Sequence, residues 1–149
     1  MGAAMRTAWH IWVVGFATLI WHAGGAYDYL MSVQRNAGYL AMIPDDKRAA
    51  LLAQLDAMPP WAISTWALGV WAAVAGSLLI LLRSRHAVTA FALALFGLIA
   101  TSIYSYGLVP PGAAATPDAM TLGFTAAIVA VLLAALFYAR RQTLAGTLR

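Results

Sequence analysis

Few side chains in this 149-residue chain are equipped for chemistry: three histidines, five aspartates, six tyrosines and scattered hydroxyls, with no glutamate and no cysteine. One aspartate stands apart. Asp28 lies within a long apolar run, between Tyr27 and Tyr29 and six residues after His22. A carboxylate in apolar surroundings costs free energy unless it is partnered. It therefore marks either a binding or proton-handling site, or a group of hydrogen-bonded side chains that fixes helix register, with Asp28 itself simply hydrated at the interface. His10 and His86 each begin an apolar run, and two facing histidines in a helix bundle can hold a b-type haem. Both lie where histidine is ordinarily hydrated, so haem is the lesser reading, and no other cofactor or metal is expected. Without cysteine, disulfides, thiolate metal sites and CxxC redox chemistry are excluded. No phosphate-binding glycine loop, GxSxG elbow, HExxH or paired catalytic carboxylate occurs, and the chain reads as no enzyme.

The elements that must position these residues follow from composition. Hydrophobic residues make up 63% of the chain and charged residues 9%, with a net charge of +4. A soluble domain carries about a quarter charged residues, so an ordinary cytosolic protein and a nucleic-acid binder are both excluded. Apolar segments run from about 9 to 31, 61 to 82, 87 to 109 and 119 to 139. About 20 helical residues cross a bilayer core, and strands of this length would leave backbone groups unpaired in lipid. The expectation is a single all-α membrane domain over residues 1–149, an integral four-helix bundle.

Charge sets the expected orientation. Arg6, Arg83, Arg85, Arg140, Arg141 and Arg149 fall on one side; Arg35, Lys47 and Arg48 fall on the other, offset by Asp45, Asp46, Asp56 and Asp118. The positive-inside rule then puts both termini in the cytoplasm. The first segment has some look of a signal peptide, but its apolar run continues to Met31, and it is read as an uncleaved span. The loop from about 32 to 60 contains one further helical pattern, about 45 to 58. Asp45 is its expected N-cap, Leu51, Leu52, Leu55 and Met58 share a face, and Pro59-Pro60 ends it. This short amphipathic helix is expected to lie on the outer surface and pack on the bundle.

Small residues recur every fourth position at Thr65, Gly69, Ala73 and Ser77, at Gly97, Thr101 and Ser105, and at Ala126, Ala130 and Ala134. In lipid such stripes allow close backbone approach and mark helix–helix faces, within the bundle or, for one of them, between two copies of the chain. Trp9, Trp12 and Trp61 fit interfacial anchors, whereas Trp66 and Trp71 read as packing or lipid-facing residues. At 1.5 Å per residue from Trp9, His22 lies about 20 Å and Asp28 about 28 Å along the first span, both toward its outer end. Thr101, Ser102, Tyr104, Ser105 and Tyr106 of the third span reach similar depth, and the inner half of every span is more apolar. A conduction path needs polar or small groups through the full depth. The lopsided distribution instead predicts an outward-facing pocket built from His22, Tyr27, Asp28, Thr101, Tyr104 and Ser105.

Several stretches also resemble a known family. Trp12-Val13-Val14, Leu19-Ile20-Trp21-His22-Ala23-Gly24 and Tyr27-Asp28-Tyr29-Leu30-Met31 match the pattern of its first span. Asn36, Tyr39-Leu40, Pro60-Trp61-Ala62, Trp66-Ala67-Leu68-Gly69-Val70-Trp71, Gly76-Ser77-Leu78-Leu79 and Arg83-Ser84-Arg85 continue it. The resemblance, over about residues 10–107, is to small four-span bacterial inner-membrane proteins that often carry the label "sugar transporter". That family commonly has asparagine where this chain has His22, so a neutral amide is replaced by a group that titrates near neutrality.

Two functions remain as expectations. One is a non-enzymatic membrane protein that binds an apolar or amphipathic ligand or serves as an accessory subunit of a membrane complex. The other is a small-solute, sugar-like transporter working as a homo-oligomer. Partners are accordingly the lipid bilayer and either a larger complex or further copies of the chain, with no nucleic acid.

Overall fold

Helix α1 (Trp9–Val33) leads into a single turn, α2 (Ala37–Leu40), and then α3 (Asp45–Ala57). α4 (Pro60–Leu81) and α5 (Ala87–Ile103) form a hairpin. α5 runs on as a π-helical turn over Tyr104–Leu108, and α6 covers Ala119–Leu144. The computed structural model describes residues 9–110 and 117–149, and no strand occurs among them.

Local sequence sets these boundaries. Pro60 occupies the first turn of α4, where a missing N–H costs nothing, and it holds the preceding chain extended. Asn36 caps α2 by accepting from the Tyr39 amide, and Asp118 caps α6 by accepting from the Thr121 amide at 2.8 Å. Asp45 does not cap α3 as expected. The N-cap is Pro44, whose ring holds it extended, and Asp45 is the first helical residue with its carboxylate bound to Arg48. α1 and α4 both end on an arginine in the left-handed region, Arg35 at φ 51° and Arg83 at φ 55°. This is the position glycine usually takes when the last carbonyls of a helix are capped. Here the amide of Arg83 donates to Ile80 and that of Ser84 to Leu79.

α4, α5 with its π turn, and α6 are each long and apolar enough to cross a membrane, the mark of a multi-pass membrane protein. α1 is as long at 25 residues, but His10, His22, Asp28 and its tyrosines dilute its apolar character. Successive long helices pack antiparallel. Gly15 of α1 meets Leu81 of α4 while Tyr29 meets Trp66, and Gly76 of α4 meets Phe91 of α5. α6 closes the ring between α5 and α1, with Tyr106 sharing a hydrogen bond with Thr125 and Trp21 lying beside Phe124. Ile11, Ile80, Phe91 and Leu148 are fully buried in the core.

The small-residue stripes have two fates. Thr65 and Gly69 face Gly97 and Thr101 and form the α4–α5 seam. The stripe Ala126, Ala130 and Ala134 does not pack as expected: all three are exposed, and α6 is held by Leu132, Ala135 and Ala139 on an adjacent face. A four-residue repeat of alanine supplies a smooth face without fixing which neighbour meets it. The first half of α6 buries little of its surface, with Phe124 61% and Met120 74% exposed.

Candidate functional site

α3 lies across the end of the bundle where α1 stops, α4 starts and α5 passes into its π turn. Leu55 and Met58 are buried and anchor it. Gln54 Nε2 donates to Ser105 Oγ at 3.2 Å, and the ion pairs Arg35–Asp56 and Lys47–Asp118 (3.2 Å) tie it to the chain after α1 and to the start of α6. Both pairs are exposed and screened by solvent, so they position α3 more than they stabilise it.

Beneath α3 is a cavity of about 260 Å³. Asp28 and Ser32 line it from α1, Thr101 and Ser105 from α5 and its continuation, and Gln54 from above. Leu51, Leu55 and Met58 complete the roof, and Trp66 of α4 supplies an aromatic wall. The lining is thus half polar and half apolar, and its single charged side chain is a carboxylate.

Asp28 accepts a hydrogen bond from the Tyr39 hydroxyl. Burial, and then that hydrogen bond and the Asp28 charge, push the Tyr39 phenol up to about 12, so it stays a donor throughout the ordinary pH range. α2 is a single turn, and its Asn36 cap is what presents Tyr39 to Asp28.

The floor is closed by close helix contact. Thr65 and Thr101 share a hydrogen bond at 3.2 Å, and Thr101 also donates to the Gly97 carbonyl at 2.8 Å. One turn further in, Gly97 abuts the Gly69 backbone. Tyr29 meets Trp66 edge to face, with ring centroids 5.0 Å apart. The π turn explains the upper wall. Its wider hydrogen bonding, Val109 N–H to Tyr104 carbonyl at 3.1 Å, shifts the register of α5. Ser105 then faces Gln54 while Tyr104 turns into a cluster with Met58, Ala62 and Trp61.

Of the six residues expected to form the pocket, the structure brings Asp28, Thr101 and Ser105 together. Tyr104 is 3% exposed and lies behind the Met58 wall, its hydroxyl without a hydrogen-bond partner among the described residues. Tyr27 is 54% exposed and packs edge-on against Tyr39 outside the cavity. His22 is not at this end at all. It is buried, 7% exposed, with Nδ1 3.0 Å from Ser77 Oγ and its ring against Phe91. Helical side chains tilt toward the N-terminus of their helix, which carries this ring away from Asp28 and toward the far end of α4. Ser77 donates its proton to the Ala73 carbonyl, so His22 Nδ1–H is the donor in the pair. Its Nε2 has no partner among the described residues.

Ser32, Gln54 and Trp66 are cavity residues that the sequence reading did not assign. The histidines weighed for haem have other surroundings. His10 Nδ1 shares a 2.6 Å hydrogen bond with the Tyr138 hydroxyl, and His86 is exposed at the start of α5. Neither has the other as a hydrogen-bond or ring partner among the described residues. No group of three or more metal-ligating side chains occurs there either. Comparison with known proteins finds no matching family model, no matching curated protein and no matching solved structure.

Proposed function

We propose that the chain is a non-enzymatic bacterial inner-membrane protein that crosses the bilayer four times, with both termini in the cytoplasm, and binds a small amphipathic molecule under α3 on the outer side. The orientation rests on charge. Arg83, Arg85, Arg140, Arg141 and Arg149 gather at one end, while Lys47, Arg48 and Arg35 at the other are offset by four aspartates. The resemblance to small four-span inner-membrane proteins supports the same topology. Such a pocket serves a free-standing binder and an accessory subunit of a larger complex equally well.

The observation that carries the binding reading is the closed floor. Polar groups gather beneath α3, and the helix seam under them is sealed by the Thr65–Thr101 bond and the Gly69–Gly97 contact. A conducting path needs suitable lining through the whole depth, whereas a pocket needs it at one end. Mass spectrometry of small molecules released from protein purified in mild detergent tests this. A stoichiometric small molecule, lost in Asp28→Asn, is expected; protein carrying bulk lipid alone contradicts it.

The second reading is a small-solute, sugar-like transporter acting as a homo-oligomer. It is favoured by the resemblance and by Asp28, an aspartate without a cationic partner. Proton-driven uptake into proteoliposomes that disappears in Asp28→Asn would favour it over binding.

A further inference from the structure

The cavity under α3 carries an unbalanced negative charge. Asp45, Asp56 and Asp118 each have an arginine or lysine in contact, and Asp46 sits in the first turn of α3, where the helix dipole favours an anion. Asp28, exposed at the edge of the cavity, has only a neutral phenol beside it. Its Oδ1 accepts from Tyr39, and no cation contacts it among the described residues. No lysine, arginine or histidine lines the cavity, so it holds no positive charge to pair with a phosphate or a carboxylate.

Of the hydroxyls, Thr101 has given its proton to the Gly97 carbonyl and offers only lone pairs to the cavity, whereas Ser105 Oγ accepts from Gln54 and keeps its own proton. Trp66 brings an indole to the lining, the ring that attracts cations best, and Leu51, Leu55 and Met58 provide apolar cover for a short carbon skeleton. At about 260 Å³ the space lies just under the range of about 300–1,000 Å³ typical of drug-sized ligands, so the occupant is small. We propose that the cavity binds a small organic cation, an ammonium group on a short carbon chain, with its charge held between Asp28 and Trp66. This assignment of ligand class rests on the binding reading above. The ammonium has two possible sources, a free amine or a lipid headgroup.

Isothermal titration calorimetry on the full chain in phosphatidylglycerol nanodiscs tests the proposal, with empty discs as the blank. The probes are choline, its neutral carbon isostere 3,3-dimethylbutan-1-ol, and glucose. Choline is expected to bind saturably and about tenfold tighter than the isostere, and Asp28→Asn is expected to erase that difference. Trp66→Leu should weaken choline and leave the isostere unchanged, which keeps the test decisive if Asp28→Asn fails to fold. Adding phosphatidylethanolamine to the discs separates the sources: competition with choline assigns the site to a headgroup, and an unchanged affinity assigns it to a free cation. Equal binding of choline and the isostere, or binding of glucose without choline, overturns the cation while leaving a binding pocket standing. Binding of none of the three, with no co-purifying small molecule, overturns both.

Discussion

Gly97 lies so close to Gly69 that a Cβ added to it would sit 2.5 Å from the Gly69 amide nitrogen and 2.6 Å from the Thr65 carbonyl oxygen. Backbone cannot yield as a side chain can, so Gly97→Ala must separate α4 from α5. It is expected to destabilise the protein by about 1–3 kcal/mol, the usual range for overpacking. Gly69→Ala meets its nearest backbone atom at 3.3 Å and should cost less. Gly24→Ala meets nothing within 4 Å and gains helix propensity, so it should match or exceed the wild type. Unfolding in detergent that reverses this order would refute the seam.

Ser77 is the polar partner of His22 at the end of the bundle away from the cavity. Ser77→Ala leaves a buried ring N–H unpaired and should cost about 1–3 kcal/mol. Binding at the cavity should not change. Loss of binding at unchanged stability would mean that His22 belongs to the site after all.

Asp118 accepts from both the hydroxyl and the amide of Thr121 and then from Lys47, which together lower its carboxyl to about 2. A depressed acid stabilises the fold above its ordinary value of 3.8, and this contribution fades as pH falls through about 2. Carboxyl carbon NMR should therefore show Asp118 titrating below an ordinary aspartate. In Thr121→Ala its midpoint should move upward, because the hydroxyl donor is gone.

Tyr39 provides the opposite case. Its phenol is raised to about 12 by burial first and by Asp28 second. A raised acid adds stability that is fully present below its ordinary value of 10 and is lost as pH climbs through about 12. Asp28→Asn removes the neighbouring charge, so ultraviolet titration should find this tyrosine ionising at lower pH in the variant. An unmoved titration would place Tyr39 away from Asp28.

Much of the helical architecture was legible because lipid imposes it. Unbroken apolar length and flanking arginines mark helices such as α4 and α6, and Pro59-Pro60 announces the break before α4. The α4–α5 seam was legible too, since Gly69 and Gly97 permit an approach that larger residues forbid. The site was only partly so. Depth counted along α1 put His22 near Asp28, but rise per residue says nothing of which neighbour a ring turns to, and Ser77 claims it. Ser105 lines the cavity as expected, but Tyr104 leaves it for the cluster with Met58 and Ala62 at a π turn that resets the register of α5, and no residue type in that stretch announces one. Gln54 reaches the cavity only through the fold of the loop over the bundle. That is long-range packing, which periodicity within a segment does not encode.

A cavity open on the α3 side and closed at Gly97 can be probed directly by cysteine accessibility, because the chain has no cysteine of its own. Thr101→Cys lies in the cavity wall, and Ala94→Cys lies one turn beyond the seal, fully buried. With oriented proteoliposomes and a membrane-impermeant trimethylammonium thiosulfonate, Thr101→Cys should react from the α3 side alone, and faster than with the anionic sulfonate reagent. Ala94→Cys should react from neither side. Labelling of Ala94→Cys along with Thr101→Cys would show an aqueous path through the α4–α5 seam and contradict a closed pocket.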